Sequence, residues 1–176
     1  MGGAMAHVML LPKGMSQLPH IFVTDDAVGL GCANKRDDVL LVQFFLAGLS
    51  ADLLTKGNQQ FNYISKKGTP FNYTVPGQRP IGIDGVCGTQ TVAYIKHFQV
   101  EASKTFDRSA DFSMVADGKV TPIYKNNPWG QHTGRVLSIV RLNTEYSDMY
   151  GPDRLANIWT EPMFPRELVP SFYMSF

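Results

Sequence analysis

Apolar positions recur at helical spacing in three separate stretches of the chain. Val39, Val42, Leu46 and Leu49 form the first stripe and predict a helix over about 38–48. Asp37 or Asp38 stands where an N-cap belongs, because a carboxylate there accepts from the free N–H groups of the first turn, and Gly48 stands where such a helix ends. Val92, Ile95 and Phe98 form the second stripe and predict a helix over 89–101, capped by Thr89 or Thr91. Val136, Ile139, Val140 and Tyr146 form the third, over 134–149, and Gly151-Pro152 breaks it.

Turn chemistry separates the stripes. Asp84-Gly85 precedes the second and Asp117-Gly118 precedes the third. Asp in such a turn bonds the backbone ahead of it, and Gly85 and Gly88 accept positive φ without a Cβ clash. The stretch Ile83–Gln99, a tight turn feeding a short amphipathic helix, is the piece about which the rest is arranged. Between the first and second helices, Phe61-Asn62-Tyr63 and Phe71-Asn72-Tyr73 flank Lys66-Lys67-Gly68-Thr69-Pro70. Aromatic residues alternating with Asn around a glycine turn predict a β-hairpin over about 57–78. Its aromatic face either covers the helical core, the simpler reading, or offers a surface to a sugar or a partner protein. Ile21–Thr24 reads as a short strand. The last stretch, Glu161–Phe176, is apolar but carries Pro162, Pro165 and Pro170, so it predicts an extended arm that must lie on something, most simply on another chain. The predicted organisation is an N-terminal arm over 1–24, one domain over 25–150 and an extended apolar arm over 151–176.

Composition narrows the function. The 176-residue chain has a formal net charge of +1 and 18% charged residues, so there is no basic field for nucleic acid. No stretch reaches membrane-spanning length, and Val8–Leu11 is too short for a signal-peptide core, which predicts a soluble protein that leaves a cell, if it does, outside the general secretory route. Cys32 and Cys87 form no paired motif, and His7, His20, His97 and His132 show no ligand spacing, so neither a metal nor a cofactor is expected; the two cysteines, each beside glycine in a loop that precedes a helix, either meet as a disulfide or, the simpler reading, stay two free thiols. Catalysis by Glu101 with Asp111, or by Cys87 with His97, would need pairings that spacing alone does not favour over solvated charges and coincidence.

The grammar of helix, Asp-Gly turn, helix, Asp-Gly turn, helix resembles the peptidoglycan-binding-like domain, a three-helix module of cell-wall hydrolases and phage proteins. Asn34–Gln43 is similar to its first helix, Asp84–Thr91 through Phe98-Gln99 to its signature turn and second helix, and Asp117–Pro122 with Val136–Ile139 and Leu142-Asn143 to its closing turn and third helix. Thr89 stands where the family usually has proline. The resemblance implies a mainly α fold: a three-helix core with an inserted hairpin and extended N- and C-terminal arms. It implies a non-catalytic module that holds peptidoglycan. With apolar ends in need of a partner, the expectation is a component of a phage particle or contractile injection apparatus that docks on cell wall or on partner subunits, in an oligomer or larger complex; the alternatives are a stand-alone wall-binding module of a lytic system and a small peptidoglycan hydrolase. Gln43, Asp84, Gly85, Gly88, Thr91, Phe98, Gln99, Asp117 and Gly118 are then scaffold. Tyr63, Tyr73, Tyr94, Trp129, Phe164, Phe172 and Tyr173 are the candidate ligand or partner surface.

Overall fold

A computed structural model describes residues 6–11, 18, 20–50, 73–104, 114–123 and 137–173. Among them the fold is mainly helical, with two small two-stranded sheets. The predicted hairpin falls largely within 51–72 and so lies outside the described residues, as does most of the loop after the second helix.

Helix α1 (Arg36–Leu49) is the hub. Every residue from Asp38 to Leu49 is buried. A helix apolar on nearly all sides has no face to give to water, so its neighbours must surround it. Helix α2 (Thr89–Ser103) and helix α3 (Ser138–Tyr150) both pack on it. The expected centre of the chain, Ile83–Gln99, is therefore a flank. The predicted stripes are core where described: Ile95, Phe98 and Ile139 are fully enclosed, while Val92 and Val140 are half-buried.

Three local expectations need correction. Asp38 does not cap its own helix. Lys35 is the N-cap residue and its side chain makes no capping hydrogen bond, and the buried Asp38 carboxylate instead accepts from the N–H groups of Asp25 at 2.9 Å and Asp26 at 3.0 Å. Likewise neither Thr89 nor Thr91 caps α2, whose N-cap is Gly88. Gly48 does not end α1. The helix continues to Leu49, and a Cβ on Gly48 would lie 3.0 Å from the Tyr146 ring, so the glycine lets α3 approach the backbone of α1. Tyr150 of α3 donates its hydroxyl to the carbonyl of Gly48 at that crossing.

Strand β1 (His7–Leu10) pairs antiparallel with β2 (His20–Val23), in the register His7↔Val23 to Leu10↔His20. All four residues of β2 are buried, which hides the alternation that would have marked it more clearly. Asn143 of α3 fixes this sheet: its Oδ1 accepts from Phe22 N–H and its Nδ2 donates to Phe22 O, both at 2.8 Å. Strands β3 (Val28–Gly29) and β4 (Lys119–Val120) form the second pair. Gly29 sits at φ +142°, with Gly118 O only 2.3 Å from where a Cβ would be.

The C-terminal arm is not extended. It folds into α4 (Pro152–Ala156), single 3₁₀ turns at Ile158–Thr160 and Arg166–Leu168, and α5 (Val169–Tyr173). Proline is barred from a helix interior but not from its first turn, and Pro152 and Pro170 occupy first turns. Phe164, Leu168 and Phe172 of the arm are buried on the chain's own core, while Met163 is exposed. Phe164 packs edge-on against Phe44 at 5.1 Å between ring centres, and Phe172 against Phe22 at 5.1 Å. Arg36 adds a two-pronged ion pair to Glu167, at 3.0 and 2.9 Å, and its remaining nitrogen donates to Asp84 O at 2.7 Å. The start of α1, the Asp84 turn and the arm thus meet at one guanidinium.

Candidate functional site

Two side-chain amides hold the two Asp-Gly turns in the same way. Gln43, buried in α1, accepts at Oε1 from the N–H groups of Asp84 (3.1 Å) and Gly85 (2.8 Å). Its Nε2 donates to Asp84 Oδ1 (2.9 Å), Val86 O and Thr91 Oγ1 (both 3.1 Å). Gln99 of α2 repeats the pattern. Its Oε1 accepts from Gly118 N–H (2.9 Å), and its Nε2 donates to Asp117 Oδ1 (3.1 Å), Lys119 O and Ser138 Oγ (both 2.9 Å). In both turns the aspartate also accepts from the N–H two residues on, Val86 and Lys119, at 2.9 Å. Gly85 and Gly118 share φ +73°. A primary amide suits the task because it accepts and donates from one planar group, whereas a carboxylate cannot donate to the turn carbonyl. The Val86 N–H and the Gln43 amide hold the Asp84 carboxyl below the usual carboxylate range.

Gly88 departs from expectation. It has φ −92° and open space around a hypothetical Cβ, so only Gly85 and Gly118 in these turns require glycine. Phe98 is core, 5.3 Å from the Tyr73 ring.

These clamps set the start of α2, and beside it lies a shallow cleft of about 240 Å³ lined by Gln78, Arg79, Thr89 and Gln90. Residues 79 and 80 are pinned to α2: Gln90 Nε2 donates to Arg79 O at 2.8 Å, and the Tyr94 hydroxyl donates to the same oxygen at 2.9 Å. The cleft presents amides, a hydroxyl and a guanidinium, groups that recognise carbonyls, sugar hydroxyls and carboxylates. None of its four residues is among the sequence candidates. The available signal was the polar pair Thr89-Gln90 opening a predicted helix, off the line of its apolar stripe.

The candidate aromatic surface is mostly interior. Tyr73, Tyr94, Phe164 and Phe172 are all buried, so they are not available to a ligand or partner. Aromatic residues carry the largest apolar area in the chain, and burying it outweighs leaving it exposed. Tyr63 and Trp129 lie outside the described residues; Tyr173 ends α5, and its side chain lies outside them too. The Tyr73 hydroxyl donates to Glu145 Oε2 at 2.8 Å, and Glu145 is ion-paired with Arg141 within the core. Burial pushes the Glu145 carboxyl up, against the pull of Arg141 and Tyr73. Glu101 is ion-paired with Lys104, and Asp111, its suggested catalytic partner, lies outside the described residues. Among the described residues no three metal-ligating side chains converge, and no helix is long and apolar enough to cross a membrane.

No family model, curated protein or solved structure matches this chain.

Proposed function

We propose that this chain is a non-catalytic, peptidoglycan-binding-like module that holds cell-wall material at the cleft beside the start of α2. The observation that carries the reading is the pair of amide clamps. Gln43 on Asp84-Gly85 and Gln99 on Asp117-Gly118 give a stated job to the residues on which the family resemblance rests. The three helices joined through those clamps fit the three-helix core that the resemblance implies. The cleft supplies donors from Gln78, Arg79 and Thr89 beside the Gln90 amide that holds its wall, and these suit the N-acetyl carbonyls, hydroxyls and stem-peptide carboxylates of the wall polymer.

The rival reading, a docking part of a phage particle or injection apparatus, drew on an apolar arm in need of a partner. Phe164, Leu168 and Phe172 have that partner in their own chain, so the arm no longer argues for a second one. Co-sedimentation with purified sacculi tests the proposal. The parent should pellet with sacculi, and Gln78→Ala combined with Arg79→Ala should lower the bound fraction several-fold. Equal binding by parent and variant would move the site elsewhere. A parent that stays in the supernatant would remove wall binding altogether.

A further inference from the structure

The cleft beside α2 carries one charged group, Arg79, and the backbone under it is fixed. Pro76-Gly77 makes a tight turn: Gln78 N–H donates to Val75 O at 3.1 Å, and Gly77 sits at φ +73°, where glycine is favoured. The chain leaves this turn directly into the side of the cleft. Arg79 O then accepts from Gln90 Nε2 and from the hydroxyl of Tyr94, a residue buried in the core. Pro80 follows and fixes its own φ. The Arg79 backbone is therefore held by the turn on one side and by α2 on the other. Arg36 and Arg154 each give two nitrogens to a carboxylate of this chain, Glu167 and Glu161. Among the described residues no carboxylate pairs with Arg79 in this way, and none of the residues lining the cleft is acidic.

We infer that the cleft binds a free carboxylate of the stem peptide and that Arg79 selects it; this rests on the wall-binding reading above. A planar guanidinium meets a carboxylate through two parallel hydrogen bonds, and charge makes such bonds stronger than those between neutral groups. The hydroxyls and N-acetyl groups of the glycan leave the positive charge uncompensated. A lone exposed ion pair adds little in water. Here the Gln78 amide and the Thr89 hydroxyl share the cleft, so the carboxylate is held together with the peptide bond beside it. Size agrees with this. A volume of about 240 Å³ is below the roughly 300–1,000 Å³ of pockets that enclose a drug-sized ligand, so the cleft takes a chain end or a side-chain acid and not a length of polymer. Amidation or cross-linking of the stem peptides removes such carboxylates. The state of the wall's peptides, and not its glycan, then sets how tightly the protein holds.

The test titrates the full-length protein in a calorimeter with a synthetic stem peptide whose carboxylates are free. Parallel titrations use the same peptide amidated at its C-terminus, the same peptide amidated at its side-chain acids, and a peptide-free N-acetylglucosamine oligomer. The free-acid peptide should bind best, and its binding should weaken as salt is added. At least one of the amidated peptides should bind roughly tenfold weaker, which names the carboxylate that is held, and the sugar oligomer should show no saturable binding. Arg79→Gln should bind free and amidated peptides alike, Arg79→Lys should keep a preference for the free acid, and both should melt with the parent. Three results would overturn this inference and leave wall binding standing: sacculi that pellet the protein while no peptide binds, equal binding of the free-acid and both amidated peptides, or an Arg79→Gln variant that keeps the preference. A parent that binds neither sacculi nor any of the four probes overturns both.

Discussion

At Gly85 a single hydrogen atom separates a working turn from a strained one. Its φ is +73°, and a Cβ would lie 2.7 Å from Arg36 Nη1 and 2.9 Å from Arg36 Cγ. Gly85→Val should therefore cost roughly 1–3 kcal/mol in backbone strain, with displacement of Arg36 from Asp84 and Glu167 in addition. Gly88→Ala should be near neutral, because Gly88 has φ −92° and free space. Urea midpoints for the two variants check this; a Gly85→Val midpoint equal to the parent's would refute the turn assignment. Asp38 makes a second residue-scale prediction. Burial pushes its carboxyl up to about 6, against 3.8 for the free group, although two backbone N–H groups pull it down. Asp25 and Asp26 add repulsion, while His7 pairs with Asp25 and Lys35 with Asp26 at the rim. The folded state thus holds a proton that the unfolded state has released between about pH 4 and 6. Stability from this group is present below the unfolded value and is lost as pH rises through 6, by on the order of 2–3 kcal/mol. Relative to Asp38→Asn, the parent should lose stability across that window in urea melts at stepped pH. A constant difference between the two proteins would contradict the assignment.

Elements were legible where one rule governed them. The three apolar stripes located α1, α2 and α3 to within a few residues, because period and turn signals agreed. The hub is not marked by amphipathicity, because α1 is buried around its whole circumference. Strand β1 was missed because its alternation spans four residues and its pairing with β2 is a tertiary fact. The C-terminal arm was misread because its prolines suggested an extended chain, yet Pro152 and Pro170 open short helices. The amide clamps were legible only in part. Gln43 and Gln99 stood out by their place in the motif, but their partners lie 41 and 18 residues away along the chain, beyond any local pattern. The arm gives a prediction at this scale. Deleting Glu161–Phe176 strips Phe164, Leu168 and Phe172 from the core and uncovers Phe22 and Phe44. The truncated protein should aggregate or lose its cooperative melt in calorimetry. A sharp melt at the parent's temperature would mean that the arm is dispensable.

For the whole molecule, the same device is used twice: a helix ends its task by fixing the turn that starts the next helix. Gln43 on α1 places α2, and Gln99 on α2 places β4 and α3. Asn143 on α3 then returns to β2, so the chain closes on its own N-terminal sheet. Among the described residues this leaves few large apolar side chains outside, and the buried aromatic residues serve cohesion and not recognition. In the function proposed above, recognition falls to the polar cleft, whose walls are held by Gln90 and Tyr94. The direct measurement is a titration of isotope-labelled protein with soluble muropeptide, followed by amide shifts in NMR. The account predicts progressive, saturable shifts centred on Gln78, Arg79, Thr89 and Gln90, with the Gln43 and Gln99 clamps unmoved. A spectrum unchanged at saturating muropeptide, or shifts confined to another face of the molecule, would contradict it.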